Sequence, residues 1–371
     1  MLTGILFWAA LLVAAVVVFL MVEMVYLSAV LVQGDKQTEG RNYYGASPAE
    51  RDRFRKALRR HARRLSPILA LLGRSSNFSF AKTSFQHRGL AAPKGTTSPA
   101  SFARADAWQA GPQDVFVATQ MKCGTTWMLH VVYQVLLRGD GKLVETGSTL
   151  HAVVPWIEGR KTVAMEDAPL IGTERPSRVI KTHLPASHVP WSPSARYIYV
   201  ARHPVSCFVS CADFVRSNAG RFAPSSDKIE EWFRSDDLMW WGTWPAHVEG
   251  WWKLSEENPN ILFVTFEDMK HDLSAVTRRV AEFLEIRPLD DAELALIVEK
   301  CSFRYMQEHE SAFEMHPPHI LSASADLFIS GSADRHADAP EEARRRIAAW
   351  CAARMEGGRF PLAKVYPDVT A

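Results

Sequence analysis

Ile5–Val22 is an unbroken apolar run of 18 residues, and Met24–Val32 extends it almost without polar groups after Glu23. A stretch this long and this apolar has few stable solutions. It crosses a bilayer as a helix of about 20 residues, or it is a buried core helix, or it is a cleaved leader. Leaders begin with basic side chains, and only the α-amino group stands before this run, so a retained anchor is the expected reading. Glu23 would then lie deep in the bilayer or near one interface. No Lys or Arg precedes the run, whereas Lys36, Arg41 and the cluster Arg51–Arg64 follow it. That asymmetry orients the remainder of the chain toward the cytoplasm.

The 371 residues carry 43 basic and 41 acidic side chains, a balance that conceals three unlike parts. Residues 1–34 hold one charged side chain, residues 35–110 hold 15 basic and 5 acidic, and the remainder is acidic by 7 charges. Composition excludes collagen-like, disulfide-scaffold and wholly disordered classes. The 5 cysteines form no CxxC pair, and Cys207 and Cys211 stand at helical spacing, so reduced thiols in a cytosolic compartment are expected. Basic charge beside the anchor, and not on the large domain, argues against nucleic-acid binding.

Four segments follow: an anchor (1–34), a basic amphipathic juxtamembrane helix (35–72), a linker (73–107) and one large domain (108–371). Ser47, Pro48 and Glu50 read as N-cap, first helical residue and capping-box partner. Phe54, Ala57, Leu58, Ala62 and Leu65 fall near one face, with 7 basic residues from Arg53 to Arg64 around them. The spacing suits a helix on a membrane surface or a solvated helix whose charges enforce topology. Pro67 is expected to end or bend it. Residues 73–107, rich in Ser, Thr, Gly and Ala, read as a loose connector.

Val115-Phe116-Val117-Ala118 is a strand-like run, Thr119–Cys123 a loop, and Gly124-Thr125-Thr126-Trp127 opens an apolar helix running to about Leu137. A strand, a loop and a helix N-terminus make an anion site, where free N–H groups and the positive end of the dipole converge. Spacing alone leaves an ordinary strand-to-helix turn equally open. It is not the ATPase loop GxxxxGK[ST], because Lys122 precedes the glycine.

Lys122–Trp127 resembles the 5′-phosphosulfate loop YPKSGTTW of cytosolic sulfotransferases. Val179–Pro185 is similar to that family's VKTHLP, and Tyr197–Arg202 to its YIYVAR, with Ser210 eight residues after Arg202. Gly242-Thr243-Trp244 with His247-Val248 and Trp251-Trp252 resembles GSW…HV…WW. Phe263–Lys270 resembles FYEDMK, and Ser302-Phe303 with Met306 resembles TSFxxM. The resemblance spans about residues 108–335 in the correct order. It implies an α/β, P-loop-like three-layer fold with a central parallel sheet, preceded here by a transmembrane helix. The strand-like runs Val115–Ala118, Arg178–Ile180, Tyr197–Ala201 and Ile261–Thr265 argue for the same sheet.

The resemblance further implies sulfuryl transfer from 3′-phosphoadenosine 5′-phosphosulfate (PAPS) to a hydroxyl or amine by in-line displacement, with no metal required. Lys122 and Lys181 would offset charge on the leaving and transferring groups, and His183 would be the general base. Lys122, Cys123, Gly124, Thr125, Thr126 and Trp127 would hold the 5′-phosphate, and Arg202 and Ser210 the 3′-phosphate. Trp127 and Phe266 would border the adenine, with Ser302, Phe303 and Met306 nearby; Phe303 and Met306 serve equally well as plain core.

Departures from the family pattern are Met121 for proline, Cys123 for serine and Phe266 for tyrosine. The Arg-Lys-Gly run of the family is replaced by Ile329-Ser330-Gly331, leaving Gly331, with Arg335 as the candidate substitute cation. Trp156, Trp232, Trp240, Trp241 and Trp244 fall in or near the segments expected over the acceptor mouth (140–175 and 212–245), which suggests an apolar acceptor such as a hydroxylated lipid. Trp244, Trp251 and Trp252 fit core positions better. Rival readings are a P-loop nucleotide-dependent kinase, which lacks its GK[ST], and a non-catalytic membrane adaptor on the same fold.

Overall fold

The computed structural model describes residues 2–38, 41–75, 78–314, 317–322, 332 and 334–370. The first helix, α1 (Leu2–Gln37), has two unlike halves. Gly4–Val22 face outward on nearly every side, and among the described residues none of this apolar stretch is buried. Those residues make about 28 Å of helix, close to the thickness of a hydrocarbon core. A single turn, α2 (Arg41–Tyr44), then leads into α3 (Pro48–Ser75). From Glu23 onward α1 packs on α3, with Leu27 and Val30 buried among Leu58, Leu65, Leu69 and Ile320. Glu23 marks the junction, where its Oε1 accepts from Arg64 Nη2 at 2.9 Å. The Arg64 guanidinium also lies 3.7 Å from the Tyr26 ring centroid. Beyond Glu23 only one side of α1 is covered, and Met24, Val25, Leu31 and Val32 still face outward.

Ser47 and Glu50 exchange capping bonds at the start of α3: Ser47 N–H donates to Glu50 Oε2 at 2.8 Å and Glu50 N–H to Ser47 Oγ at 3.4 Å. The helix runs on through Pro67. Arg55 ion-pairs Glu314, whose carboxylate also accepts from Tyr43 Oη, so α2 and α3 are latched to the large domain.

The stretch expected as a loose connector is folded. It forms α4 (Phe80–Thr83), the antiparallel pair β1 (Ser84–His87) and β2 (Leu90–Pro93), and α5 (Pro99–Ala107). Arg88 and Gly89 both take positive φ, 50° and 79°, as a two-residue hairpin turn requires. Phe80, Leu90, Ala92 and Phe102 are buried in the main core, and they supply the stability that the polar composition concealed.

The large domain begins with β3 (Asp114–Ala118) and α6 (Thr125–Leu136), then α7 (Leu150–Val153), β4 (Arg178–Thr182) and β5 (Arg196–Ala201). Next come α8 (Pro204–Ala219), α9 (Ser226–Arg234), α10 (Trp244–Glu257), β6 (Ile261–Thr265) and α11 (Phe266–His271). The chain continues through α12 (Leu273–Phe283), α13 (Asp291–Lys300), α14 (Phe303–Glu308), α15 (Glu341–Met355), α16 (Leu362–Val365) and α17 (Pro367–Thr370). The four strands form one parallel sheet in the order β4-β3-β5-β6.

Both faces of the sheet are covered, as parallel sheets require. Val115, Val117, Val179, Ile198 and Val200 point to the layer of α6, α12 and α13. Phe116, Ile180, Tyr197 and Tyr199 point to the layer of α8, α10 and α15. Phe116 and Tyr197 stack with centroids 5.0 Å apart between neighbouring strands. The strand order reverses about β3, which opens a crevice beyond the carboxyl ends of the strands, where such sheets take their ligands.

Candidate active site

Each strand end delivers one of the expected residues. The loop Thr119–Gly124 follows β3, Lys181 sits within the last two residues of β4 with His183 just past it, Arg202 follows β5, and Phe266 follows β6. Sequence separations of 60 to 140 residues collapse into one crevice because the register aligns Ala118 with Thr182, and Ala201 with Thr265.

The loop after β3 is strained in a directed way. Lys122 has φ 65° and Gly124 φ 99°, both left-handed. A Cβ on Gly124 would lie 2.8 Å from Phe266 Cδ2, so only glycine lets that ring close over the loop. The Lys122 carbonyl accepts from Arg202 Nη1 at 3.0 Å, which holds the loop against β5. At the start of α6 the first-turn amides have no intrahelical acceptor, and no side chain caps them. Among the described residues, Thr126 Oγ1 is buried without a partner, and Arg202 Nε likewise. Thr125 Oγ1 bonds Thr119 Oγ1 at 2.7 Å. Free amides, an orphaned hydroxyl and two buried cations fit a phosphate-type anion.

His183 is buried and oriented. Its Nδ1 lies 3.0 Å from the Thr119 carbonyl and 3.3 Å from Thr119 Oγ1. A carbonyl accepts only, so Nδ1 carries the proton and Nε2 presents its lone pair to the crevice. The main chain is fixed as well: His183 N–H donates to Glu158 Oε1 at 2.7 Å, and its carbonyl accepts from His247 Nε2 at 3.0 Å. Tyr199 Oη bonds His247 Nδ1 at 2.8 Å, which completes the second layer of support. Burial first, and then the neighbouring Lys181, holds His183 well below the usual imidazole value, so it is neutral at neutral pH.

Two lysines face the same space. Burial pushes Lys122 down to about 8 and Lys181 down to about 7, while the Glu158 carboxylate opposes the second shift. Lys181 Nζ lies 3.7 Å from the Trp156 ring centroid. Cations held in so dry a site are poised for an anionic ligand.

The remaining expected contacts are distributed unevenly. Phe266 packs edge-on against Trp127 at 5.3 Å and under the Arg202 guanidinium at 4.3 Å, an apolar slot beside the loop. Ser210 is buried on α8, two turns beyond Arg202. Ser302 Oγ accepts from Tyr305 N–H at 3.2 Å and so caps α14; Phe303 is half-buried, and Met306 is core. Arg335 reaches the neighbourhood of Lys122 but is engaged by Asp213 at 2.7 Å and Asp338 at 3.1 Å. Gly331 lies outside the described residues, while the Ser332 carbonyl accepts from Arg202 Nη2 at 3.3 Å. The Cys123 thiol turns into the core, against Cys207 at 3.6 Å, which leaves only its backbone to the loop. All 5 cysteines are free and buried.

Of the tryptophans expected around an acceptor, Trp156 and Trp241 do flank His183, at centroid distances of 5.5 and 4.9 Å. Trp232 and Trp240 do not: Trp232 stacks on Phe80 at 4.5 Å, and Trp240 Nε1 donates to Ser84 Oγ at 2.7 Å, both in the core. Trp244 and Trp251 are fully buried and Trp252 half-buried, as core residues. Trp241 adopts φ 60°. Its strained turn is held by Gln120, whose Nε2 donates to the carbonyls of Trp240 and Gly242 at 3.1 and 2.9 Å. Thr119, Gln120 and Glu158 bond to His183 or to the Trp241 turn, contacts that the motifs did not reveal. The only sequence trace of Glu158 is an acid placed directly after the apolar run Val153–Ile157.

The family model described as the sulfotransferase domain matches residues 112–359. Sulfotransferase 1C2 of Homo sapiens is 29% identical over 216 residues, which cover 56% of this chain and 71% of that protein. Sulfotransferase 1B1 of Canis lupus familiaris is 32% identical over 228 residues, covering 59% and 74%. A mouse sulfotransferase complexed with PAP matches with TM-score 0.56 at 20% identity, over 78% of this chain and 98% of that one. Retinol dehydratase in complex with androsterone and the inactive cofactor PAP matches with TM-score 0.60 at 19% identity, over 76% and 95%. Structural likeness at such identities speaks for the fold, whereas the family match runs over most of the chain. On that match, the chain belongs to the sulfotransferase family.

Proposed function

We propose that this protein transfers a sulfuryl group from PAPS to the hydroxyl, or amine, of a small lipophilic acceptor, working from the cytoplasmic face of a membrane that α1 crosses. The observation that carries the reading is the pinned tautomer of His183: Nδ1 held on the Thr119 carbonyl, Nε2 open toward the crevice that buried Lys181 and half-buried Lys122 share. PAPS, when bound, supplies the activated sulfuryl group.

The first-turn amides of α6, with Thr125 and Thr126, hold the 5′-phosphate. Lys122 neutralises charge that develops toward the leaving phosphate, and Lys181 does the same at the transferring group. Arg202 and Ser210 receive the 3′-phosphate, and Phe266 and Trp127 border the base. Arg335, already paired with two carboxylates, contributes field more than direct contact. His183 Nε2 takes the proton from the acceptor hydroxyl as it attacks. Glu158 and His247 hold the His183 main chain in place for that transfer.

A lipophilic acceptor is supported by the Trp156 and Trp241 walls, and by relatives solved with androsterone and with retinol. Membrane residence is supported by the 28 Å outward-facing apolar rod. The test is incubation of the full chain with sulfur-labelled PAPS and separate pools of membrane lipids, soluble phenols and sugars. Labelling of the lipid pool is expected; labelling confined to phenols or sugars contradicts the acceptor class, and no labelling contradicts the activity.

A further inference from the structure

The mechanism uses nothing between α1 and α3, yet the two helices enclose a groove there. They touch near Glu23 and Arg64, pack through Val30 and Leu58, and then diverge. The opening is about 1510 Å³ and is lined by Val30–Gln37 on one side, residues 50–63 on the other and Tyr43–Ala46 at its floor. Seven Lys and Arg residues line it against one carboxylate, Glu50, which is already committed to the Ser47 cap.

Arg53, Arg59, Arg60 and Arg63 are exposed, and among the described residues they have no ion-pair partner. Lys56, between them, is paired with Asp52 at 2.6 Å. Four unpaired guanidiniums along one helix repel each other and are retained at a cost unless an anion sits among them.

Depth along α1 identifies that anion. Trp8 and Tyr26 are amphipathic aromatics of the kind that mark the two bilayer interfaces, and their separation of 18 positions makes about 27 Å of helix. Arg64 and His61 both contact Tyr26, and Arg64 also pairs Glu23 one turn earlier, so α3 meets α1 at this interface level. The groove opens at Val30, about 6 Å further along the helix. A headgroup layer extends roughly 5–8 Å beyond the hydrocarbon. The mouth of the groove therefore lies where lipid phosphates lie.

We infer that the groove between α1 and α3 is a binding site for the headgroup of one anionic phospholipid, held by Arg59, Arg60 and Arg63 with Arg53 deeper in the groove. The inference rests on the membrane-spanning reading of α1 given above.

Native mass spectrometry of the full chain in detergent, titrated with phosphatidylglycerol or phosphatidylcholine, reads the site directly. The expected result is a single saturable phosphatidylglycerol adduct, favoured about tenfold or more over phosphatidylcholine, and reduced to the phosphatidylcholine level in the triple variant R59Q/R60Q/R63Q. Those positions are exposed, so the variant keeps the fold. Equal retention of the two lipids, non-saturating uptake of several anionic lipids, or an unchanged adduct in the variant overturns the site. Displacement of the lipid by excess inorganic phosphate would instead make the groove a soluble-phosphate site and also overturn it. Flotation with phosphatidylcholine vesicles separates the two readings. Wild type and variant should both float; a wild type that stays at the bottom removes the anchor, and the headgroup site with it.

Discussion

Gly124 shows how narrowly one residue can be constrained. It takes φ 99°, and an added Cβ would sit 2.8 Å from the Phe266 ring. Gly124→Ala therefore strains the backbone and displaces the ring that borders the proposed nucleotide slot. Calorimetric titration with PAP should report affinity weakened by roughly tenfold or more, about 1.4 kcal/mol, and the melting temperature should fall by a few degrees. The lysines make a second prediction. In the donor-free enzyme Lys181 loses its proton near pH 7 and Lys122 near pH 8, both held low by burial. Each is depressed, so rising pH removes the cation that the donor needs. The kcat/KM for PAPS should fall as pH rises through that window, whereas kcat should not, because bound anionic donor raises both values. A flat kcat/KM profile from pH 6.5 to 9 would contradict the assignment of these cations.

Candidate roles were legible in sequence through resemblance to family motifs. Lys122, Lys181, His183 and Arg202 could be named because each stands in such a motif, and the apolar strands they close or follow agree with that reading without establishing it. Thr119, Gln120 and Glu158 could not, since their partners lie 64, 120 and 25 residues away and are chosen by sheet order. Arg335 is near the site but already held by Asp338, three residues on, and by Asp213, whose approach across 122 residues no local spacing announces.

Among elements, the β1–β2 hairpin was the least visible. Short strands in a Ser- and Gly-rich stretch carry no periodic signal, and their burial depends on a distant partner, the turn at Trp240–Gly242. The Ala91 carbonyl accepts from Trp241 N–H at 2.9 Å, and Ser84 Oγ from Trp240 Nε1. The hairpin thus braces the wall beside His183. Ser84→Ala should leave the Trp240 indole N–H unpaired, cost about 1–2 kcal/mol of stability and raise KM for the acceptor more than KM for PAPS. Denaturant titration and two-substrate kinetics separate those effects. The α1–α3 pair makes a second element-scale prediction. Arg64→Leu strands buried Glu23 and should increase hydrogen exchange across residues 23–37 and 58–69, whereas E23L/R64L should restore protection. Unchanged exchange in the single variant would show that the apolar contacts alone hold the helices together.

At the scale of the whole molecule, the formal charge of +2 conceals a basic membrane-side module and a large domain that is acidic by 7 charges. A domain with that field repels a polyanionic donor at long range. Recognition must come from a few desolvated groups at strand ends and one helix N-terminus, and not from bulk attraction. Donor affinity should accordingly depend less on ionic strength than it does in a phosphate-binding protein with a basic surface. The parallel sheet and its order around β3 make this arrangement possible, because they bring β3, β4, β5 and β6 to one edge.

The central claim is that His183 moves a proton while Lys122 and the β3–α6 loop hold and neutralise the donor. Its most direct test is single-turnover transfer from sulfur-labelled PAPS by wild type, His183→Ala and Lys122→Ala, with PAP affinity measured on the same preparations. His183→Ala should lose about 10²–10⁴ in rate with PAP affinity unchanged, and Lys122→Ala should lose both rate and affinity. Transfer by His183→Ala at the wild-type rate would contradict the account.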